Sequence, residues 1–438
     1  MKKRLFLVLL LITAAYFSSP AAHRDSVKTG WNVGMLPALS FDSNLGFQYG
    51  GIVNFFYYGD GSTYPHYQHS IYAEVSQYTK GSTIFRTYYD SKYLLPGLRT
   101  TVDMAYVTDK MMKLHGFNGY KAAYIPDYVD KDADDYISEG FYSYNRKLFR
   151  VVSVLQGAIS GNLRWAAGLD FYNFDIGAVD KKKLDLPEDS TAYEYYASYG
   201  GLPRDEVKGG SHIYLKGGLV YDTRNFEPNP MKGMCTELLF LFSPDIEGRN
   251  NTHAKITLVH RQYFTILPQN LSFAYRIGYQ GTLFGHTPWY LQQNINVLML
   301  RKTLSEGLGS SSTMRGSVRN RIVGDGVIFA NAELRWKFLH FKLIKQNWYL
   351  STNPFVDMGM IVQPYRESEM EQMHEDINTY SVARPKLITT DKEAPHVCVG
   401  AGFQLVMNQN FIISADFGKA LDKRDGNTGL YIGLNYLF

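Results

Sequence analysis

The end of the chain alternates strictly. Leu430, Ile432, Leu434, Tyr436 and Phe438 share one face of an extended segment, and Tyr431, Gly433, Asn435 and Leu437 share the other. A helix would need apolar positions recurring every three or four residues, so this period of two specifies a strand with two distinct surfaces. The pattern recurs in Phe411, Ile413, Ala415 and Phe417 against Ile412, Ser414, Asp416 and Gly418. It recurs again in Ile328, Ala330, Ala332, Leu334 and Trp336 against Asn331, Glu333, Arg335 and Lys337. Charges occupy one face of each strand only. That is the signature of a wall with lipid on one side and a polar lumen on the other.

Followed along the chain, the alternation predicts strands near 31–42, 45–60, 69–80, 82–94, 98–110, 142–159, 163–180 and 209–225. It continues near 231–244, 252–267, 270–285, 326–338, 345–364, 396–406, 410–421 and 428–438. The count of about sixteen is even, as single-chain bacterial barrels require. Long connections near 111–141, 181–208, 286–325 and 365–395 all follow odd-numbered strands. Connections after even-numbered strands are short, including Glu227-Pro228-Asn229-Pro230, Pro268-Gln269 and Asn408-Gln409. The expected fold is all-β, a closed transmembrane antiparallel barrel with both ends periplasmic and the long loops outward.

At the other end, Lys2, Lys3 and Arg4 precede an apolar core from Leu5 to Ala15, too short to span a bilayer. Residues 1–22 are read as an export signal cut near Ala21 or Ala22, and residues 23–438 as one barrel domain in the bacterial outer membrane. No cysteine stands at that junction, which argues against a lipoprotein. Beyond the signal no run of about 18 apolar residues occurs, so no spanning helix is expected. Thirty-four Tyr and 39 Gly with only two Cys suit a barrel with aromatic girdles and tight turns better than a disulfide scaffold. Cys235 and Cys398 are read as isolated wall residues. A formal charge of +4 suggests no nucleic-acid partner.

Two stretches exceed generic barrel character. In Leu219-Val220-Tyr221-Asp222-Thr223-Arg224-Asn225-Phe226-Glu227-Pro228-Asn229-Pro230-Met231-Lys232-Gly233, Asp222 and Arg224 fall on the lumen face and the prolines break pairing at the rim. The second stretch lies in the longest loop, Thr313-Met314-Arg315-Gly316-Ser317-Val318-Arg319-Asn320-Arg321, and is followed by Asn331-Ala332-Glu333-Leu334-Arg335. The first resembles the Asp-x-Arg-Asn strand and turn of the BamA/TamA-type (bacterial surface antigen) family. The second resembles that family's sixth-loop signature, with Ser317 standing where an aromatic residue is usual.

The resemblance implies that the loop folds back into the lumen and that Arg315 pairs with acidic wall residues. Asp357 and Asp416 lie on lumen faces by alternation and are the expected partners, with Glu333 a lesser one. The alternative is that Arg315 solvates a surface loop. Family members that insert or translocate proteins carry periplasmic domains ahead of the barrel. Here the signal runs almost directly into strand one, and the chain is read as a form lacking them.

Other constellations point elsewhere less well. Asp127, Asp130, Asp132, Asp134 and Asp135 have alternate spacing, but the Gly and distal Glu of an EF-hand loop do not follow. No metal and no cofactor are expected. Lys181, Lys182 and Lys183 are read as a solvated run. The scattered His residues build neither a nucleophile elbow nor a zinc site, and no enzyme is expected.

Two functions stay open: a barrel in outer-membrane biogenesis or transport, working in outer-membrane lipid with outer-membrane or periplasmic assembly proteins, and a passive pore or structural barrel. The seam between first and last strands bears on the choice. Pro37 cannot donate there, Gly433 adds no packing, and Phe438 ends the last strand, so fewer seam hydrogen bonds are expected than at neighbouring pairs. The alternative is that Pro37 sits at a tolerated bulge and the barrel stays shut.

Overall fold

The computed structural model describes residues 27–64, 66–298, 307–344, 346–380, 385–408, 411–434 and 436–438. The expected export signal, residues 1–22, lies outside them. The strands are β1 (Trp31–Pro37), β2 (Ser40–Asp42), β3 (Gly46–Tyr57), β4 (His69–Tyr78), β5 (Thr83–Leu95) and β6 (Leu98–Lys113). Next come β7 (Ser143–Ser160), β8 (Leu163–Gly177), β9 (Gly209–Asp222), β10 (Gly233–Ser243), β11 (His253–Leu267) and β12 (Leu271–Gly285). The wall is completed by β13 (Gly326–Leu343), β14 (Gln346–Gln363), β15 (His396–Met407), β16 (Phe411–Ala420) and β17 (Thr428–Leu434).

Every consecutive pair from β2 to β17 is antiparallel, and β17 returns to β2, so the sheet closes. β1 and β2 are two parts of one first strand. Trp31↔Tyr57 through Pro37↔Gly51 and Ser40↔Gln48 share one register against β3, without a bulge. Counted so, the barrel has sixteen strands.

Closure places lipid outside and polar groups inside, and the side chains follow the alternation. Along β11, Leu258 and Phe264 are exposed, whereas Val259, Arg261 and Tyr263 are buried. Buried charges need partners, and the wall supplies them from adjacent strands. Arg150 meets Asp103 at 2.8 Å, Arg146 meets Asp109 at 2.5 Å, Lys216 meets Asp170 at 2.8 Å and Arg261 meets Glu237 at 2.6 Å. Cys235 and Cys398 are buried and free.

The rim that carries the long connections is capped. The four long connections pack together through Phe117, Tyr142, Tyr196, Trp289, Met373 and Leu387, all buried. Backbone bonds sew them: Asn118 N donates to Val323 O at 2.8 Å, and Ala123 N to Leu387 O at 2.9 Å. Such a dome excludes water from its loop backbones by pairing them with one another.

Several boundaries shift by up to three residues, and two differ by more. β13 runs to Leu343 rather than 338, because Phe341↔Trp348 and Lys342↔Asn347 extend the hairpin past the apolar band. β17 stops at Leu434, so Tyr436 and Phe438 leave the lipid-facing set and enter the lumen. The Tyr436 hydroxyl lies 3.0 Å from Ser351 Oγ, and Arg335 Nη2 donates to the Phe438 carbonyl at 2.7 Å. The aromatic end is thus a luminal group held by cations, not a seam residue.

Candidate functional site

The connection between β12 and β13 does not stay on the surface. Its residues 313–321 descend into the lumen, where Arg315 is fully buried. Arg315 Nε lies 2.9 Å from Asp357 Oδ2 and Nη2 lies 2.9 Å from Asp357 Oδ1, a bidentate pair. The backbone N–H of Arg315 also donates to Asp357 Oδ2, at 3.0 Å. Nη1 reaches Glu333 Oε1 at 2.7 Å and Asp416 Oδ2 at 3.7 Å. Glu333 is therefore nearer than Asp416, the reverse of the order expected, since the longer side chain on β13 extends further toward the guanidinium. The face of that guanidinium covers the Phe355 ring at 3.4 Å, a contact the sequence did not suggest.

Three carboxylates around one arginine would leave excess negative charge, and two further arginines stand close by. Arg335 Nε pairs with Glu333 Oε2 at 2.9 Å. Arg276 donates to Asn331 Oδ1 at 2.9 Å and to Ser312 O at 3.1 Å, while Asn331 donates to Asp357 Oδ1 at 2.8 Å. Arg276 and Asn331 both lie on lumen faces by alternation. That was the signal from which their roles could have been read.

Glycine permits the approach of loop to wall. Gly316 has φ 110°, and a Cβ there would stand 2.6 Å from the Lys419 backbone nitrogen. Its own N–H donates to the Tyr431 hydroxyl of β17 at 3.1 Å. Ser317 is buried. Beyond it the loop ties other elements: Val318 N donates to Asp425 O at 2.8 Å, Arg319 Nη1 lies 3.4 Å from Asp109 Oδ1, and Arg321 donates to the carbonyls of Arg424, Gly119 and Ala122. One loop thereby links β6, β13, β14, β16 and β17 across the lumen.

The strand-turn motif sits at the opposite, short-turn rim. Arg224 chelates Asp222 through Nε at 2.9 Å and Nη2 at 2.7 Å. Asn225 Oδ1 accepts from Met231 N and Lys232 N, both at 3.0 Å, closing the turn. Pro230 is buried, and Gly233, with φ 99°, approaches Thr223 O too closely for any Cβ. The structure keeps this motif apart from the Arg315 cluster.

The seam is thin. Among the described residues, β17 and β2 share two residue pairs, Tyr431↔Asp42 and Ile432↔Phe41, whereas β16 and β17 share seven. Ser43 N adds a bond to Leu430 O at 3.1 Å. Among the described residues, β1 has a register with β3 alone. Ala38 N donates to Gly50 O of β3 and Gly30 N to Gly59 O just past its end, so the even-numbered amides of this strand face β3 and the odd-numbered ones face the seam. Pro37 therefore withholds its donor from the seam side. Gly433 pairs with Ser414 on β16, and a Cβ there would meet nothing within 4 Å, leaving open space where the tail turns inward.

The Omp85 superfamily domain matches residues 68–438. No curated protein matches the chain in sequence. Among solved structures, the barrel is similar to BamA from Haemophilus ducreyi lacking POTRA domains 1-3, with TM-score 0.55 and 14% identity over 93% of this chain and 71% of that one. It is also similar to CdiB from Escherichia coli, with TM-score 0.56 and 11% identity over 93% of this chain and 63% of that one. At such identities the likeness is one of fold, and this chain spans less than two thirds of the CdiB chain.

Proposed function

The chain belongs to the Omp85 superfamily, and on that footing we propose that it serves outer-membrane biogenesis by opening at the seam between β17 and the first strand. It is an outer-membrane β-barrel of the BamA/TamA type. The observation that carries the proposal is the seam itself, with two residue pairs at β17–β2 and, along Trp31–Pro37, odd-numbered amides that face no strand partner among the described residues. An unpaired edge in lipid is costly, because no water replaces the missing partners. Such an edge accepts another strand readily, and an incoming barrel strand is the partner whose chemistry fits it.

A passive pore fits less well. The outward mouth is covered by the apolar dome around Trp289 and Phe141, and the lumen holds the Arg315 loop and the C-terminal residues. Partner proteins that deliver such strands from the periplasm belong to the same proposal.

Depletion of the protein tests it. The levels of other barrels in the outer membrane are expected to fall. Unchanged levels, together with steady ion conductance by the purified barrel, would support the pore instead.

A further inference from the structure

The turn between β9 and β10 does not hang below the barrel. Glu227 Oε2 lies 3.9 Å from Arg99 Nη1 on β6. Asn229, buried, donates its amide to the Tyr349 hydroxyl on β14. Between them, Met231 O accepts from Thr265 Oγ1 on β11 at 2.9 Å, and Met231 Sδ lies 3.2 Å from Lys337 Nζ on β13. β6 and β14 stand on opposite sides of the β9–β10 hairpin in the ring. The turn therefore crosses the short-turn mouth from one side toward the other. Asn225 and the Asp222–Arg224 pair brace its two ends.

The strand residues it grips also hold the C-terminus. Tyr349 packs with Val406, Ile412 and Tyr436 in one buried cluster. The Lys337 ammonium lies over the Tyr349 ring at 4.9 Å, and Arg335 lies over Tyr436 at 4.4 Å and over Phe438 at 4.9 Å. Strap, wall and tail thus form one contiguous contact. The tail has an alternative place. Continuing the register Tyr431↔Asp42 and Ile432↔Phe41, residues 436, 437 and 438 would face Pro37, Leu36 and Met35. That pairing is weakened by Pro37, which supplies no donor.

We infer that residues 225–232 are a strap across the periplasmic mouth, and that its Asn229–Tyr349 contact holds the chain's own C-terminal residues in the lumen and away from the seam. Released, the tail pairs with the free edge of β1. The strap is thus a positioning element for the seam, and its role rests on the proposed seam opening only for its biological meaning.

The test uses the full chain in lipid bilayers with Cys235→Ser and Cys398→Ser, so that no native thiol competes. Leu36→Cys and Leu437→Cys then report tail-to-edge pairing by their rate of disulfide formation. Asn229→Ala is expected to raise that rate about tenfold, the factor for loss of one hydrogen bond's net contribution, and Tyr349→Phe by more. The double variant should gain no more than Tyr349→Phe alone, since that change removes the Asn229 bond together with the hydroxyl's own bond to Tyr436. Heat-modifiable gel mobility checks that each barrel is folded, and if Asn229→Ala fails to assemble, Asn229→Leu, which keeps the bulk but cannot donate, decides. Wild-type rates in folded Asn229→Ala or Asn229→Leu would overturn the strap. A strap that behaves as expected in a barrel whose depletion leaves other barrels unaffected would overturn the biogenesis proposal and leave the strap standing.

Discussion

Arg315 and Asp357 meet as a bidentate pair, Nε to Oδ2 and Nη2 to Oδ1 both at 2.9 Å, inside a lumen that admits neither side chain to solvent. The loop's own backbone N–H adds a third bond to the same carboxylate. Arg315→Ala removes the cation from a site holding Asp357, Glu333 and Asp416. Leaving buried charge unpaired costs about 3–5 kcal/mol. The temperature at which the folded band disappears in heat-modifiability gels is expected to drop sharply, and Arg315→Lys, which cannot chelate, to fall between.

Gly316→Ala probes the close approach separately from the charge. The added Cβ meets the Lys419 backbone, and the residue must keep φ near 110°. A strain of about 1–3 kcal/mol is expected. Because the clash is with main chain, the loop rather than the wall should yield, breaking the Gly316 N–H bond to Tyr431. Protease sensitivity of residues 307–325 in the otherwise intact barrel is the readout.

The dome should loosen with rising pH at one junction. His286 bonds Glu206, and that hydrogen bond foremost raises the imidazole's pKa above its ordinary value. A raised histidine contributes stability present below about pH 6.5 and lost as pH climbs through the higher folded value. Glu206 also accepts from Trp289 N at 3.2 Å, and its carbonyl from Trp289 Nε1 at 3.1 Å. Exchange protection of the Trp289 amide, corrected for intrinsic rate, should fall between about pH 6 and 8. His286→Asn should flatten the profile. His286 is over a third exposed, so the effect is local and small.

Pro37→Ala restores a donor on the seam side of the first strand. The new bond contributes about 0.5–1.5 kcal/mol, and the more flexible unfolded chain offsets about 0.4–1 kcal/mol of it. Overall heat resistance should scarcely move, while disulfide formation between Leu36→Cys and Leu437→Cys should rise. No rise would place the Pro37 amide position away from the seam.

Strand positions were legible because lipid and lumen impose a period of two on every wall segment, and Ile413 or Leu258 on the wrong face would be intolerable. Asp357 was legible for the same reason: alternation put it in the lumen, and a buried guanidinium demands carboxylates. The tail was not. Tyr436 and Phe438 continue the pattern of Leu430 and Ile432, and only the luminal arginines at 276 and 335, distant in sequence, draw them inward. Nor does sequence show that Asn229, in an ordinary-looking proline turn, reaches β14 across the mouth. Ser317 likewise gave no hint that small size suits a buried loop tip.

Opening of the seam is the central claim, and a disulfide across its paired residues tests it most directly. With Phe41→Cys and Ile432→Cys in a chain freed of its native thiols, oxidation locks β2 to β17. The account predicts that locked cells lose other barrels from their outer membranes and that reduction restores them. Unchanged outer-membrane protein levels in fully locked cells would contradict it.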